Sequence, residues 1–437
     1  MENDLIPYLV AGPRTAAEIV ERLGVSQPTV SRLLRRMAPE VMALGRSRAA
    51  RYGLRREIRG PGRVLGGDLP VYRVDHDGRA HEIGLLAVLH GGGWYESLEG
   101  GTSAVYDDLP WFLDDMRPQG FVGRALAQSA QDLGLPPRLG DWNNDHALVW
   151  LVQRGEDAIG NLIVGHESLR RFQARPEPAL QSREDYPALA ERALSGEAGG
   201  SSPGGEQPKF TAFVADDDGR ARHVLVKFSE PLITPSGRRW GDLLIAESHA
   251  SAVLREAGID AAPSITIERG GRMLLEVERF DRIGPHGRRG LFSLGVIDAE
   301  FVGQRRDWLA TAMTLATLRK LPLDAVERIA WLSAFGGLIA NTDMHFGNLS
   351  LCFDGRWPLS LAPAYDMLPM LYAPQRGEVR TPDFMPRPPL TRHLAQAQAA
   401  QPWAVRYWQR LADDARITPE FRAVAALNAE RVASLRV

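Results

Sequence analysis

Cysteine is almost missing from this chain, with one residue, Cys352, in 437. A single thiol excludes an internal disulfide and any cysteine-built zinc cluster. Set in an apolar run, it reads as a buried small hydrophobe rather than a reactive nucleophile. Also missing is any apolar stretch of about eighteen residues, the length a membrane-spanning helix needs. The opening MENDLIPYLVAGPR has no basic segment leading into an apolar one, so no secretory leader and no membrane partner are expected. A reducing cytoplasm is the expected compartment.

Lysine is the second scarcity: Lys209, Lys227 and Lys320 stand against 49 arginines. Biased base composition explains the arginine, yet two of the three lysines fall in one short stretch. Net charge is −2, but residues 1–60 carry 11 arginines and 6 carboxylates, a net of +5, which leaves −7 for the rest. A basic head on an acidic body directs any nucleic-acid contact to the head.

Within that head, Thr15 can cap a helix over 15–24, with Glu18 three residues on, Ile19 and Leu23 on one face and Gly24 at the end. Ser26 opens a second helix over 26–37, with Pro28 tolerated in its first turn. A Gly-Val turn joins the two as a helix-turn-helix. Gln27, Thr29, Ser31, Arg32, Arg35 and Arg36 lie on the second helix, positioned to read DNA. The basic GRSRAARYGLRRE, with Arg48, is expected to form a wing. The plainer reading is an amphipathic helix pair with a solvated basic face.

Residues 60–67, GPGRVLGG, read as a linker. Residues 68–175 mix strands and helices without a catalytic spacing, and the His90-Gly-Gly-Gly stretch reads as a turn because no G-x-S-x-G accompanies it. Residues 195–208, SGEAGGSSPGGEQP, read alone as a flexible linker. The segments after them favour a phosphate loop: a hairpin, KFTAFVA and RHVLVKF, with Lys227 in its second strand. Next comes a helix, GDLLIAESHASAVLREAG, holding Asp242 and Glu247, and then a second hairpin, PSITIE and MLLEVERF. Glycine loop, lysine strand, glutamate helix and hairpin follow the order of a kinase small lobe. Glycines let backbone N–H groups approach phosphate oxygens, and Glu247 is the carboxylate to hold Lys227 in place.

The sharpest pattern lies in residues 331–369. Asp343 precedes Asn348 by five residues, the spacing of H-R-D-x-x-x-x-N, and Asp366 follows a hairpin, LSLCF and WPLSLA, expected to close tightly at Asp354-Gly355. Such an Asp orients a hydroxyl, while the Asn and the later Asp offer hard oxygens to Mg²⁺. His345 has two readings, a functional ligand or base and a structural loop hydrogen bond.

On SSPGGEQPKF, LVKF, LEVERFDR, NTDMHFGNLSL and LAPAYDM, the chain resembles the HipA family of bacterial Ser/Thr kinases, the toxins of toxin–antitoxin pairs. LPWFLDDMRPQGFVGRALA resembles that family's N-terminal subdomain, and the fused head its single-chain, YjjJ-like branch. The resemblance implies a multidomain α+β chain: a winged helix-turn-helix over 1–60, a HipA-like N-terminal subdomain over 68–175, and a protein-kinase-like two-lobed fold. The small lobe would span 185–283 and the mostly helical large lobe 284–437. It further implies ATP and Mg²⁺ as cofactors, Asp343 as the catalytic residue, and Asn348 and Asp366 as metal ligands. ATP contacts would come from Lys227, Gly204, Gly205, Lys209 and His345, with backbone at Glu278 and Phe280 facing adenine. Autophosphorylation falls on Ser202 or its neighbour Ser201. Expected partners are DNA, a protein substrate and a second copy of the chain, with the need for a separate antitoxin left open. On DNA the protein would be nucleoid-associated. A nucleotide-sensing transcription regulator and a small-molecule phosphotransferase are the rival readings.

Overall fold

The computed structural model describes residues 1–45, 50–60, 63–99, 102–196, 207–216, 218–386 and 394–436. The chain divides into two compact units. One holds Met1–Asp75, Arg79–Pro118 and Leu126–Pro176; the other holds His76–Gly78, Gln119–Ala125 and Glu177–Val437.

The first unit begins with three helices, Glu2–Val10, Ala16–Leu23 and Gln27–Arg36. Thr15 starts the second: its hydroxyl accepts from Glu18 N at 3.3 Å, and Glu18 Oε2 accepts from Thr15 N at 2.7 Å. A reciprocal cap of this kind contributes about 1 kcal/mol. Gly24 ends that helix at φ 64°, a left-handed position that suits glycine. Leu5, Leu9, Ile19, Val30, Leu33 and Leu34 meet in a common core. The basic segment from Gly45 supplies one strand of a hairpin, Arg51–Leu54, whose partner, Val41–Leu44, lies just before the segment; Arg51–Leu54 also pairs with Arg14–Thr15. The first helix has no counterpart among the elements expected from sequence.

The same unit continues into a five-stranded antiparallel sheet in the order Leu162–Val164, Asp68–Val74, Ala80–Leu89, Gly92–Ser97, Ser103–Tyr106. His90 and Gly91 form the turn between Ala80–Leu89 and Gly92–Ser97. The expected linker at 60–67 is corrected, because Ile58–Gly60 pairs with Arg63–Leu65. Buried, β-branched Ile58 favours an extended, packed backbone over a free spacer. Head and sheet are joined directly. Arg56 N donates to Val88 O at 3.0 Å, His90 N to Leu54 O at 2.9 Å, and the Arg56 guanidinium grips Asp145 at 2.5 and 2.7 Å. Leu44 packs with Ala87, Leu89 and Trp94.

The second unit is built on an antiparallel sheet in the order Lys209–Ala215, Ala221–Phe228, Arg272–Glu278, Ser264–Arg269. Alternation decides its faces. Phe210, Ala212, Val214, Val224, Val226 and Phe228 point to one side and bury against the helix Tyr186–Leu194. Lys209 and Lys227 lie on the other side, where the helix Pro235–Glu256 packs. That helix starts six residues before the expected Gly241. Thr234 caps it by accepting from Gly237 N at 2.9 Å, and Pro235 fills the first turn.

Beyond the sheet lie the helices Leu294–Phe301, Trp308–Thr317, Leu323–Leu338, Leu394–Asp413 and Pro419–Ser434. Trp408 Nε1 donates to Leu338 O at 3.0 Å and ties two of them. Cys352 is buried, and burial pushes its thiol up to about 11, as an inert core residue requires. The expected tight hairpin is longer: Ser350–Cys352 pairs with Ser360–Leu361 across residues 353–359. Pro358 has no N–H for the ladder, so the second strand starts only at Ser360. Among the described residues, no helix is long and apolar enough to cross a membrane.

Behind the sheet, Glu276 is fully buried and accepts from Arg183, Arg222 and the Tyr186 hydroxyl. Burial would raise its carboxyl, but Arg183 and Tyr186 overcome that and hold it below the ordinary value. Arg222 likewise lowers Asp216. A carboxyl lowered by folding contributes stability above its unfolded pKa of about 4, and that stability is lost as pH falls through the folded value. Thermal melts should therefore stay level from pH 7 to about 5 and fall steeply below about 4. Glu276→Gln should start lower at pH 7 and show a shallower fall. An equally steep fall in both proteins would show that Glu276 does not set the acid limb.

Candidate active site

The helix Leu323–Leu338 runs into the acidic loop without a glycine break. Ala340 turns the chain at φ 58°, a left-handed conformation that costs a non-glycine residue on the order of 1 kcal/mol or more. Buried Asn341 then braces the loop on both sides: its Oδ1 accepts from Asp343 N at 3.0 Å, and its Nδ2 donates to Asp366 O at 3.4 Å. A Cβ at Gly336 would sit 2.2 Å from Met344 Sδ, so any larger residue there would push the Met344 side chain aside.

Asn348 Nδ2 donates to Asp343 O at 2.8 Å, so the five-residue spacing closes a small ring and leaves the amide oxygen for another partner. His345 Nδ1 accepts from Gly347 N at 3.0 Å, while its carbonyl accepts from Trp308 Nε1 at 3.1 Å. The structural loop bond thus exists, and Nε2 lies 4.0 Å from Asp343 Oδ2. Tyr365 OH donates to Gly347 O at 2.7 Å and fixes the approach to Asp366. Asp366 itself sits at φ 55°, a second strained position in the loop system.

Lys227 reaches from the sheet into this group. Its Nζ donates to Glu247 Oε1 and Oε2 at 2.6 and 2.8 Å and also to Asp366 Oδ1. Burial would depress the ammonium, but Asp366 and Glu247 together hold its pKa above the ordinary value. Burial would likewise raise Asp366, yet Lys227 and Lys209 pull it down. Glu247 is raised by burial, against the pull of Lys227. Lys209 is directly opposite Lys227 across the two strands and is 3% exposed. Two like charges side by side in a sheet repel. The carboxylates of Glu247 and Asp366 offset that repulsion, and Lys209 lowers both of them.

One cavity of about 640 Å³ is lined by Lys209, Lys227, Asp343, His345, Asn348 and Asp366. Residues far apart in sequence are thereby brought together, and Glu247 sits behind Lys227. Glu278 and Phe280 do not line this cavity. The Glu278 N–H is held by Pro263 O at 2.9 Å, and the Phe280 ring lies 5.9 Å from that of Tyr365. Gly204, Gly205, Ser201, Ser202 and Arg48 lie outside the described residues. Sequence reasoning missed Asn341, Glu230, Trp240 and the wall at 368–375, which also line or brace the cavity. For Trp240 the missed Thr234-Pro235 helix start was the available signal.

In the head, Gln27, Arg32, Arg35 and Arg36 are exposed on one face of their helix, whereas Thr29 and Ser31 are half-buried. Arg36 pairs with Glu2 at 2.5 Å, and Ser26 Oγ bonds Thr29 Oγ1 at 3.0 Å.

A donor set of one carboxylate and one amide oxygen suits a hard cation that takes its remaining ligands from phosphate and water. Among the described residues, no three His, Cys, Asp or Glu side chains gather to hold a metal.

Residues 65–173 match the family model described as the YjjJ-like toxin middle domain, and residues 201–434 match the HipA-like C-terminal domain. The chain is 38% identical over 438 residues to Toxin YjjJ of Escherichia coli strain K12, covering 98% of this chain and 97% of that protein. Among solved structures, the Shewanella oneidensis MR-1 HipA, HipB and operator DNA complex supplies a match with TM-score 0.46 at 14% identity, covering 83% of this chain and 95% of that one. The Helicobacter pylori proinflammatory kinase CtkA gives TM-score 0.37 at 12% identity, covering 51% and 90%.

Proposed function

The chain belongs to the HipA-like toxin family, in its YjjJ-like branch, and from that premise we propose that it is an ATP- and Mg²⁺-dependent kinase acting on serine or threonine hydroxyls of a protein. The observation that carries the proposal is the convergence of Lys227, Asp343, Asn348 and Asp366 on one cavity.

In this reading, Asp366 and Asn348 would hold Mg²⁺, and the cation would supply charge neutralisation to the phosphate oxygens. Lys227, kept charged and held by Glu247, supplies a compact positive charge to the same oxygens, and Lys209 adds a second. Asp343 accepts the proton of the acceptor hydroxyl as its oxygen bonds to the γ-phosphorus and the bond to the β-phosphate oxygen breaks. ADP leaves as the other product. Glu278 and Phe280 are proposed to face adenine, and Gly204 and Gly205 the phosphates, with Ser202 or Ser201 the autophosphorylated residue. Incubating the protein with γ-labelled ATP and Mg²⁺ tests the assignment. Label should appear on serine or threonine and vanish with EDTA; ATP binding without any transfer would leave only a nucleotide sensor.

The head is proposed to bind DNA as a winged helix-turn-helix, because Gln27, Arg32 and Arg35 present an exposed face beside the Val41–Leu44 and Arg51–Leu54 hairpin. Neutralising phosphates releases counterions, so log affinity falls linearly with log salt. Arg32→Ala with Arg35→Ala should weaken binding to a duplex of about 30 base pairs and flatten that slope by roughly 2. Fluorescence anisotropy across a salt series reads both. Unchanged affinity and slope would remove this helix from the DNA contact.

A further inference from the structure

The cavity has a second wall that neither phosphate nor magnesium requires. Trp240, Leu368, Met370, Ala373 and Pro374 line it, with Glu230 exposed at its edge. Nucleotide phosphates and a hydrated cation need oxygen and nitrogen partners, and these residues offer carbon. The backbone proposed for adenine, at Glu278 and Phe280, lies outside the cavity.

This wall is locked to the loop that holds Asp343. Leu371 N donates to Ala340 O at 3.1 Å, three residues before Asp343. Buried Arg239 grips the same segment from the helix side: its NH1 donates to Tyr372 O at 3.5 Å and Arg380 O at 3.3 Å. Its guanidinium also lies 4.7 Å from the centre of the Phe421 ring. Both ends of the 373–379 stretch are therefore tied down. Trp240 follows Arg239 directly, and Gly241 lets the helix close on Leu232, whose Cδ2 would lie 3.0 Å from a Cβ there. A surface held in fixed register with a proton acceptor is what selection of a substrate needs, because small misplacement costs rate.

We infer that this wall receives the acceptor, a polypeptide segment whose serine or threonine has a large apolar neighbour seated against Trp240 and Met370. Glu230 at the edge favours a basic residue beside it. The inference rests on the kinase reading and specifies its substrate class. Polypeptide is favoured over a small hydroxyl compound because apolar wall and edge carboxylate together ask for two different side chains.

The test offers the full-length protein, with Mg²⁺ and labelled ATP, a positional-scanning library of serine and threonine peptides. Enrichment of Leu, Met or Phe at one flanking position and of Arg or Lys at another is expected. Trp240→Ala should lower kcat/KM for the selected peptide about tenfold to a hundredfold, the range for a large apolar contact. The loss should sit in the peptide KM, with the KM for ATP unmoved and Trp240→Phe restoring much of it. Glu230→Arg should turn the basic preference acidic. A raised KM for ATP in Trp240→Ala would give the wall to the nucleotide and overturn the inference. Transfer without flanking preference, or only to free serine or a sugar alcohol, would overturn it too. No transfer to any acceptor, with ATP still bound, sinks the kinase reading itself, an outcome distinct from the others.

Discussion

Asp343→Asn should abolish label transfer from ATP while leaving nucleotide binding and the thermal melt close to those of the parent. The substitution keeps the shape of the side chain and removes its ability to take a proton. Positioned acid–base groups contribute about 10²–10⁴-fold to rate, so activity should drop by at least the lower of these figures. The neighbourhood predicts that folding is spared. Asp343 meets Asn341 and Asn348 through its backbone N–H and carbonyl, and both bonds survive the change. Asn348→Ala makes a useful contrast, since it removes the bond to Asp343 O together with an oxygen proposed for Mg²⁺. That variant should lose activity and also demand more Mg²⁺ for what remains. Single-turnover transfer, measured beside binding of a fluorescent ATP analogue, separates the two effects. Full activity in Asp343→Asn would place the proton acceptor elsewhere.

Some of this site was readable in the chain as a string. Asp343 and Asn348 are bound by their spacing, and that short interval is just enough for Asn348 to close back on the Asp343 carbonyl. Lys227 and Glu247 were legible from the order of strand and helix. The helix caps at Thr15 and Gly24 were visible because they depend on neighbours three or four residues away. The Thr234-Pro235 start puts Arg239 and Trp240 on the helix, but nothing local announces that Arg239, in its second turn, will meet the carbonyls of Tyr372 and Arg380. Such contacts are fixed by tertiary packing. The 60–67 stretch failed for a related reason: its glycines resemble those of a spacer, and only pairing across Ile58 and Leu65 shows otherwise.

Lys227→Met should inactivate the protein and also destabilise it, and the second effect distinguishes a buried ion pair from a surface one. Lys227 is 4% exposed and bridges two carboxylates. Exposed pairs contribute about 0–1 kcal/mol, whereas removing one partner of a buried pair costs about 3–5 kcal/mol because a charge is left without compensation. Here Glu247, at 5% exposure, bears that cost, and it would escape part of it by taking up a proton. Its carboxyl is already raised by burial even with Lys227 present, so removing the ammonium must raise it further. Asp366, 29% exposed on its side chain, suffers less. Urea unfolding of the Lys227→Met variant should therefore show a loss of about 3–5 kcal/mol at pH 7 that shrinks on acidification. Adding Glu247→Leu to the same chain removes the stranded carboxylate and should recover stability without recovering activity. A double variant no more stable than the single one would mean that Glu247 is not the group left uncompensated. In that case the uncompensated charge would be Asp366, the other carboxylate that Lys227 bridges.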